Sequence, residues 1–171
     1  KAFPERQGRI DLPNVAAALA AFQRTMIAFD SPYDRTGRGD PSALTPLQVE
    51  GRSMFQSTGC ASCHSGQLLT DAGYHRLGNP AGSDRGLAEH TGQTADEWHF
   101  RTPPLRNVAV TGPWWHDGSS STLEHAIVRH PVVLRDGAMK PLLAFLDALT
   151  DKQFLVEPHL ARPDWACGKR L

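Results

Sequence analysis

With 171 residues and a composition two-fifths hydrophobic, the chain has the size and make-up of one globular domain, and it contains no apolar run long enough to span a membrane as a helix. Eighteen basic and eighteen acidic residues cancel, which removes the broad positive footprint of a nucleic-acid binder. Three cysteines do not make an even disulfide framework.

The opening "KAFPERQGRIDLPN" has a charged start without the apolar core of a signal peptide, and it lacks an initiator methionine. It reads as the cut edge of a mature or trimmed chain. Apolar residues at Val15, Leu19, Phe22, Met26 and Phe29 recur every three or four positions, and Asp11 and Pro13 supply start signals, so a helix is expected from about 13 to 29. Residues 31 to 43 are rich in Pro, Gly and Asp and read as a loop. In "TPLQ", Thr45 can cap, Pro46 suits a first turn and Gln48 can close a capping box. The helix they open is expected to run to about Ser57 and stop at Gly59.

From Gly66 to Arg101 glycines are frequent, large apolar residues few, and no period is sustained, which predicts a long irregular segment held by something other than its own core. The extended, proline-bearing "RTPPLRNVAVTGPWWHDG" leads into "SSSTLEHAIVRHP". There Ser121 and Glu124 fit a second capping box, and Pro131 ends the helix at His130. A last helix in "KPLLAFLDALT" should turn Leu142, Leu143, Phe145, Leu146 and Leu149 inward, leaving 151–171 as a polar surface tail to a domain over 1–150.

The stretch that carries chemistry is "STGCASCHSG", where Cys60, Cys63 and His64 form C-x-x-C-H. Two thiols at this spacing can add to the two vinyl groups of a haem while the adjacent histidine ligates its iron, so attachment and ligation come as one unit. A thioredoxin-like pair would need a preceding strand and a βαβ setting, whereas a capped helix precedes this motif. A zinc site would need a second pair of ligands at short spacing, and no second C-x-x-C occurs. A covalent haem would also enlarge the core of a chain made of short helices and long loops. Because such haem is attached outside the bacterial cytoplasm, the motif implies a periplasmic location. Cys167 is left over, as an inert or free thiol or as a partner for another chain.

A second axial ligand must come from the remaining histidines (His75, His90, His99, His116, His125, His130 and His159) or from Met26, Met54 and Met139. Loop histidines are more often solvated than ligating. Met26 on the first helix and Met54 just before the motif read as core. His130, at a helix exit and fixed by Pro131, is well placed, and Met139 is its rival a few residues on. Spacing alone does not choose between them.

The run "FRTPPLRNVAVTGPWWHDGSSSTLEHAIVRH", Phe100 to His130, with "GCASCHSG" upstream, resembles the C-terminal haem domain of the bacterial dihaem cytochrome c peroxidases and their MauG-like relatives. The likeness extends back through "SPYDRTGRGDPSALTPLQVEGRSMF" and covers about residues 1 to 150. It implies a mainly α-helical, cytochrome c-like fold of three to five helices around one haem c. In that family the C-terminal haem transfers electrons, and its distal ligand is the ninth residue of the stretch beginning T-L-E, methionine in typical peroxidases and tyrosine in MauG. Counted from Thr122, that residue is His130. Ligation by His64 and His130 implies a lower potential than a methionine ligand gives, and it fills both axial positions.

The resemblance further places Arg106 near a haem propionate and His116, with Asp117, in a buried turn near the haem. Trp114 and Trp115 would pack against the haem or a neighbouring domain. The backbone of Thr111 and Pro113 would lie at an interdomain calcium whose side-chain ligand comes from the other domain. The family's peroxide-reducing haem belongs to a domain that would precede Lys1, so no catalytic residue is assigned to this chain. The expected role is an electron-transfer module acting with a redox protein or a second haem-bearing domain or subunit. The alternative is a peroxidase or MauG-like oxidase acting directly at this haem, and a haem-bearing scaffold or sensor has no positive feature in its favour.

Overall fold

The computed structural model describes residues 3–77, 83–166 and 168–170. Its described residues contain six α-helices joined by long loops and 3-10 turns, with two small two-stranded sheets. This is one helix more than the upper expectation. The mainly helical class stands; the unexpected helices have 6 and 4 residues, too few for sequence periodicity to register. Among the described residues, no helix is long and apolar enough to cross a membrane. The chain divides into two compact units, residues 30–151 and residues 1–29 with 152–171.

In the smaller unit, α1 spans Leu12–Gln23, and the Asp11 side chain caps it by accepting from the Asn14 amide at 3.1 Å. It ends six residues before the expected Phe29. Thr25 closes the chain instead, its amide and its hydroxyl both donating to the Phe22 carbonyl. None of the residues of α1 is buried, and Met26, expected in a core, is exposed. Single 3-10 turns occupy Phe154–Val156 and Pro158–Leu160. Cys167 lies outside the described residues.

The 30–151 unit starts with α2 (Pro32–Gly37), in the stretch read as loop. Its signal is Ser31-Pro32-x-Asp34: the buried Ser31 caps the Asp34 amide, and Asp34 accepts back from the Ser31 amide and hydroxyl. The next helix, α3 (Pro46–Ser57), has the expected bounds, with Thr45 and Gln48 forming a capping box and Gly59 taking a left-handed φ of 87° past the end. In the described residues of the segment after it, regular structure is limited to α4 (Ala88–Thr91), single 3-10 turns at Cys60–Ser62 and Thr94–Asp96, and an antiparallel pair, β1 (Tyr74–Arg76) with β2 (His99–Arg101).

The helix α5 (Leu123–Val128) is capped by Thr122, whose hydroxyl accepts from the His125 amide. The expected cap was Ser121; the helix starts one residue later, where a threonine in extended conformation serves equally well.

The last helix, α6 (Met139–Asp147), lays its apolar face on α3. Leu142, Phe145, Leu146 and Leu149 are buried as expected, and Leu143 packs at the margin of the same cluster. The residues Gly51, Met54 and Phe55 of α3 share one face at helical spacing and are buried. Gly51 allows the close approach, since a Cβ there would run into the Pro141 carbonyl. The Phe55 and Phe145 rings stand 5.2 Å apart between centroids, and Tyr33 meets Phe145 edge-on at 5.8 Å. Each such fully buried side chain contributes about 1.5–3 kcal/mol. At the end of α6 the buried Asn107, in left-handed conformation, donates its amide to the Leu149 carbonyl and accepts from the Asp151 amide. This joint fixes the "PPLRN" loop on the core.

Candidate haem site

The motif follows directly from the end of α3. The Thr58 hydroxyl donates to the Met54 carbonyl, Gly59 reverses the chain, and Cys60–Ser62 form a 3-10 turn closed by the His64 amide donating to the Cys60 carbonyl. Cys60 and Cys63 are half-buried free thiols, not joined to each other. Cys60 and Ala61 rest against the hydrophobic core.

The His64 and His130 rings lie 6.4 Å apart between centroids, with their planes inclined by 57°. Nδ1 of His64 donates to the Leu69 carbonyl at 3.2 Å, and Nδ1 of His130 donates to the Ala126 carbonyl at 2.8 Å. A carbonyl only accepts, so each Nδ1 carries the proton and each Nε2 keeps its lone pair. Burial pushes His64 below the ordinary histidine range, against the Leu69 and Pro103 carbonyls, which favour its protonated form. A neutral imidazole is the form that binds a metal. The main chain at His130 is also pinned: its amide donates to the Ile127 carbonyl and its carbonyl accepts from the Val132 amide. Trp115 stands edge-on to the His130 ring at 5.3 Å, and the Arg129 guanidinium lies 4.4 Å above Trp115.

This donor set fits a haem iron. Two imidazoles bound on opposite sides of one metal ion, with metal–nitrogen bonds of about 2 Å, have ring centres roughly 6 Å apart. A ligating histidine ordinarily donates its other ring N–H to a carbonyl or carboxylate, as both rings do here.

The other predicted residues are dispersed. Met54 is buried in the core and Met139 packs at its margin. His75 pairs with Asp71 at 2.7 Å and His159 with Glu157 at 2.7 Å, while Nδ1 of His99 lies on the Glu97 carbonyl. Asp71, hydrogen-bonded by Gly73 and His75, is held down to about 2. Cys63, Asp71 and His75 bring their ligand atoms within 4.8 Å of one another, but the motif already engages Cys63.

His116 is buried, stacked on Phe100 at 3.8 Å, with Nδ1 3.1 Å from Asp84 but not aligned for a hydrogen bond. Asp117 forms a turn by accepting from the Ser119 amide. The Trp114 indole donates to the Val108 carbonyl, and Thr111 and Pro113 are exposed beside it. Arg106, expected at a propionate, directs its guanidinium to Asp34 through two hydrogen bonds of 2.8 Å and to the Gln67 carbonyl. Asp34 and Leu69 had not been singled out. The Ser31–Asp34 spacing is the one sequence signal that pointed to Asp34, and nothing local marks Leu69.

Fold and site together define a cytochrome c-like domain: mainly helical, with a C-x-x-C-H loop leaving one helix and a histidine beyond another opposite it. No family model matches the chain. Among curated proteins, it is 39% identical over 135 residues to the methylamine utilization protein MauG of Methylorubrum extorquens, covering 77% of this chain and 37% of that protein. It is 34% identical over 171 residues to cytochrome c551 peroxidase of Pseudomonas aeruginosa, covering 92% and 49%. The chain thus spans half or less of the length of these relatives. Among solved structures, a MauG-like protein associated with microbial copper homeostasis superposes with a TM-score of 0.79 at 28% identity, covering 95% of this chain and 64% of that one. The diheme peroxidase BthA from Burkholderia thailandensis shares the fold at a TM-score of 0.66. The chain belongs to the family of the MauG proteins and bacterial cytochrome c peroxidases.

Proposed function

We propose that the 30–151 unit is a c-type haem domain that relays electrons between a redox protein and a second haem-bearing domain or subunit in the periplasm. Cys60 and Cys63 would hold a haem by thioether bonds, and His64 and His130 would offer imidazole nitrogens to its iron. The observation that carries this reading is the pair of imidazoles 6.4 Å apart between centroids, each with its Nδ1 proton committed to a main-chain carbonyl. When bound, the haem supplies a one-electron Fe(III)/Fe(II) couple.

The chain's own residues do the rest. The carbonyls of Leu69 and Ala126 orient the two ligands and raise their basicity. Two nitrogen donors would favour the ferric state more than a histidine and methionine pair. Thr111 and Pro113 are exposed residues whose carbonyls would offer two oxygen ligands to a calcium ion, with the remaining ligands supplied by the partner domain.

The test is the low-temperature EPR spectrum of the ferric protein. A low-spin signal typical of two histidines, lost in His130→Ala, is expected. A high-spin signal in the wild-type protein would remove His130 as a ligand and move peroxide chemistry at this haem to first place.

A further inference from the structure

Arg106 and Asp34 form an ion pair whose side chains are 10% and 9% exposed, the most buried pair of opposite charges among the described residues. It is bidentate, and its second half is less ordinary. Nε and Nη2 of the same guanidinium also donate to the Gln67 carbonyl, at 2.9 and 2.6 Å. A planar fork that bridges a carboxylate and a main-chain oxygen fixes direction as well as distance.

What it fixes is the loop that follows His64. Gln67 is two residues before Leu69, which is buried, holds a strained φ of 54° and presents its carbonyl to His64 Nδ1. On the far side of Leu69, the Thr70 hydroxyl donates to the Thr102 carbonyl at 2.7 Å. Residues 67–70 are therefore tied twice to the 102–106 stretch, which also supplies the Pro103 carbonyl beside His64. Asp34 is itself held by the Ser31 capping box, so the anchor is a helix terminus rather than a free side chain.

We infer that the Asp34–Arg106 pair is a positioning device for the axial ligand: it clamps the 67–70 loop so that the Leu69 carbonyl holds the His64 Nδ1 proton, and thereby sets the tautomer, orientation and donor strength of His64. The inference rests on the proposed ligation by His64, on which Arg106 acts through the loop. Loosening the clamp weakens the hydrogen bond, makes the imidazole a poorer donor to the ferric ion, and raises the potential.

The experiment compares the wild-type holoprotein with Arg106→Lys, which keeps the charge but loses the fork, with Asp34→Asn, and with Gln67→Ala. Covalent haem is scored on denaturing gels, the midpoint potential by redox titration, and the His64 Nδ1 proton by its exchange with deuterium in NMR spectra. Arg106→Lys and Asp34→Asn are expected to retain haem, to show a raised potential and to exchange that proton about tenfold faster. Gln67→Ala is expected to match the wild type, because Arg106 grips only its main chain.

Variants with full covalent haem and unchanged potential and exchange would overturn the clamp. If one of the two pair variants fails to fold, the other decides. Absence of covalent haem in the wild type would instead sink the ligation reading. The clamp is then judged on the haem-free protein by ring nitrogen shifts, which should report the Nδ1–H tautomer of His64 in the wild type and a shift toward Nε2–H in the two pair variants; identical tautomers would refute it.

Discussion

Asp34 serves two elements at once, closing the cap of α2 and neutralising Arg106. Burial disfavours its charge, but the hydrogen bonds from Arg106 and Ser31 and the arginine's charge outweigh that, so its carboxyl is held below the usual aspartate range. Because the folded value is the lower one, the unfolded chain takes up the proton first as pH falls. The stabilisation is complete above the unfolded value of about 4 and is lost as pH drops through the folded value. The urea midpoint of the wild type should therefore fall more steeply than that of Asp34→Asn between about pH 5 and pH 2. Asp34→Ala, which strands a buried guanidinium, should cost about 3–5 kcal/mol in the same measurement at pH 7. The pair was invisible in the sequence because its partners are 72 residues apart and each has a local excuse, a capping aspartate and a loop arginine. By contrast, Cys60, Cys63 and His64 declare themselves by adjacency alone.

Elements whose ends are written in adjacent residues were the readable ones. Thr45, Pro46 and Gln48 mark the start of α3 and Gly59 its exit, and the leucines of α6 display its buried face. Where one stretch offers several hydroxyls, as at Ser121 and Thr122, composition does not say which adopts the extended cap conformation, and the start of α5 was placed one residue early. The apolar period of residues 15–29 overstated α1, because a period shows which residues share a face and not where the hydrogen bonding stops. The crossing of α3 on α6 was also hidden, since a glycine within a helix reads first as a weakness. Gly51→Ala would gain helix propensity and still lose stability, as the new methyl meets the Pro141 main chain and the Phe145 Cβ. A drop of about 1–3 kcal/mol in thermal or urea unfolding is expected.

At the scale of the whole molecule, the described residues between Gly66 and Arg101 have little regular structure, and the core is built almost entirely from residues outside that segment. A large apolar group attached at Cys60 and Cys63 would stay bonded to the unfolded chain but leave water only in the folded one, adding to the cover over these loops. Cys60→Ser with Cys63→Ser is therefore expected to lower the melting temperature by several degrees and to make it depend on added haem, as followed by circular dichroism. A melting curve unchanged by the double substitution would show that the fold is complete without the attachment.

The main chain at residue 130 has a further consequence. Its amide and carbonyl are both satisfied by neighbours in the backbone, and Pro131 stiffens the exit, so the course of the chain there does not depend on the bond from the imidazole to the Ala126 carbonyl alone. On the proposed ligation, a substitution at position 130 is expected to change the donor offered to the iron, and with it the working voltage, while these main-chain bonds keep the surrounding architecture as it was.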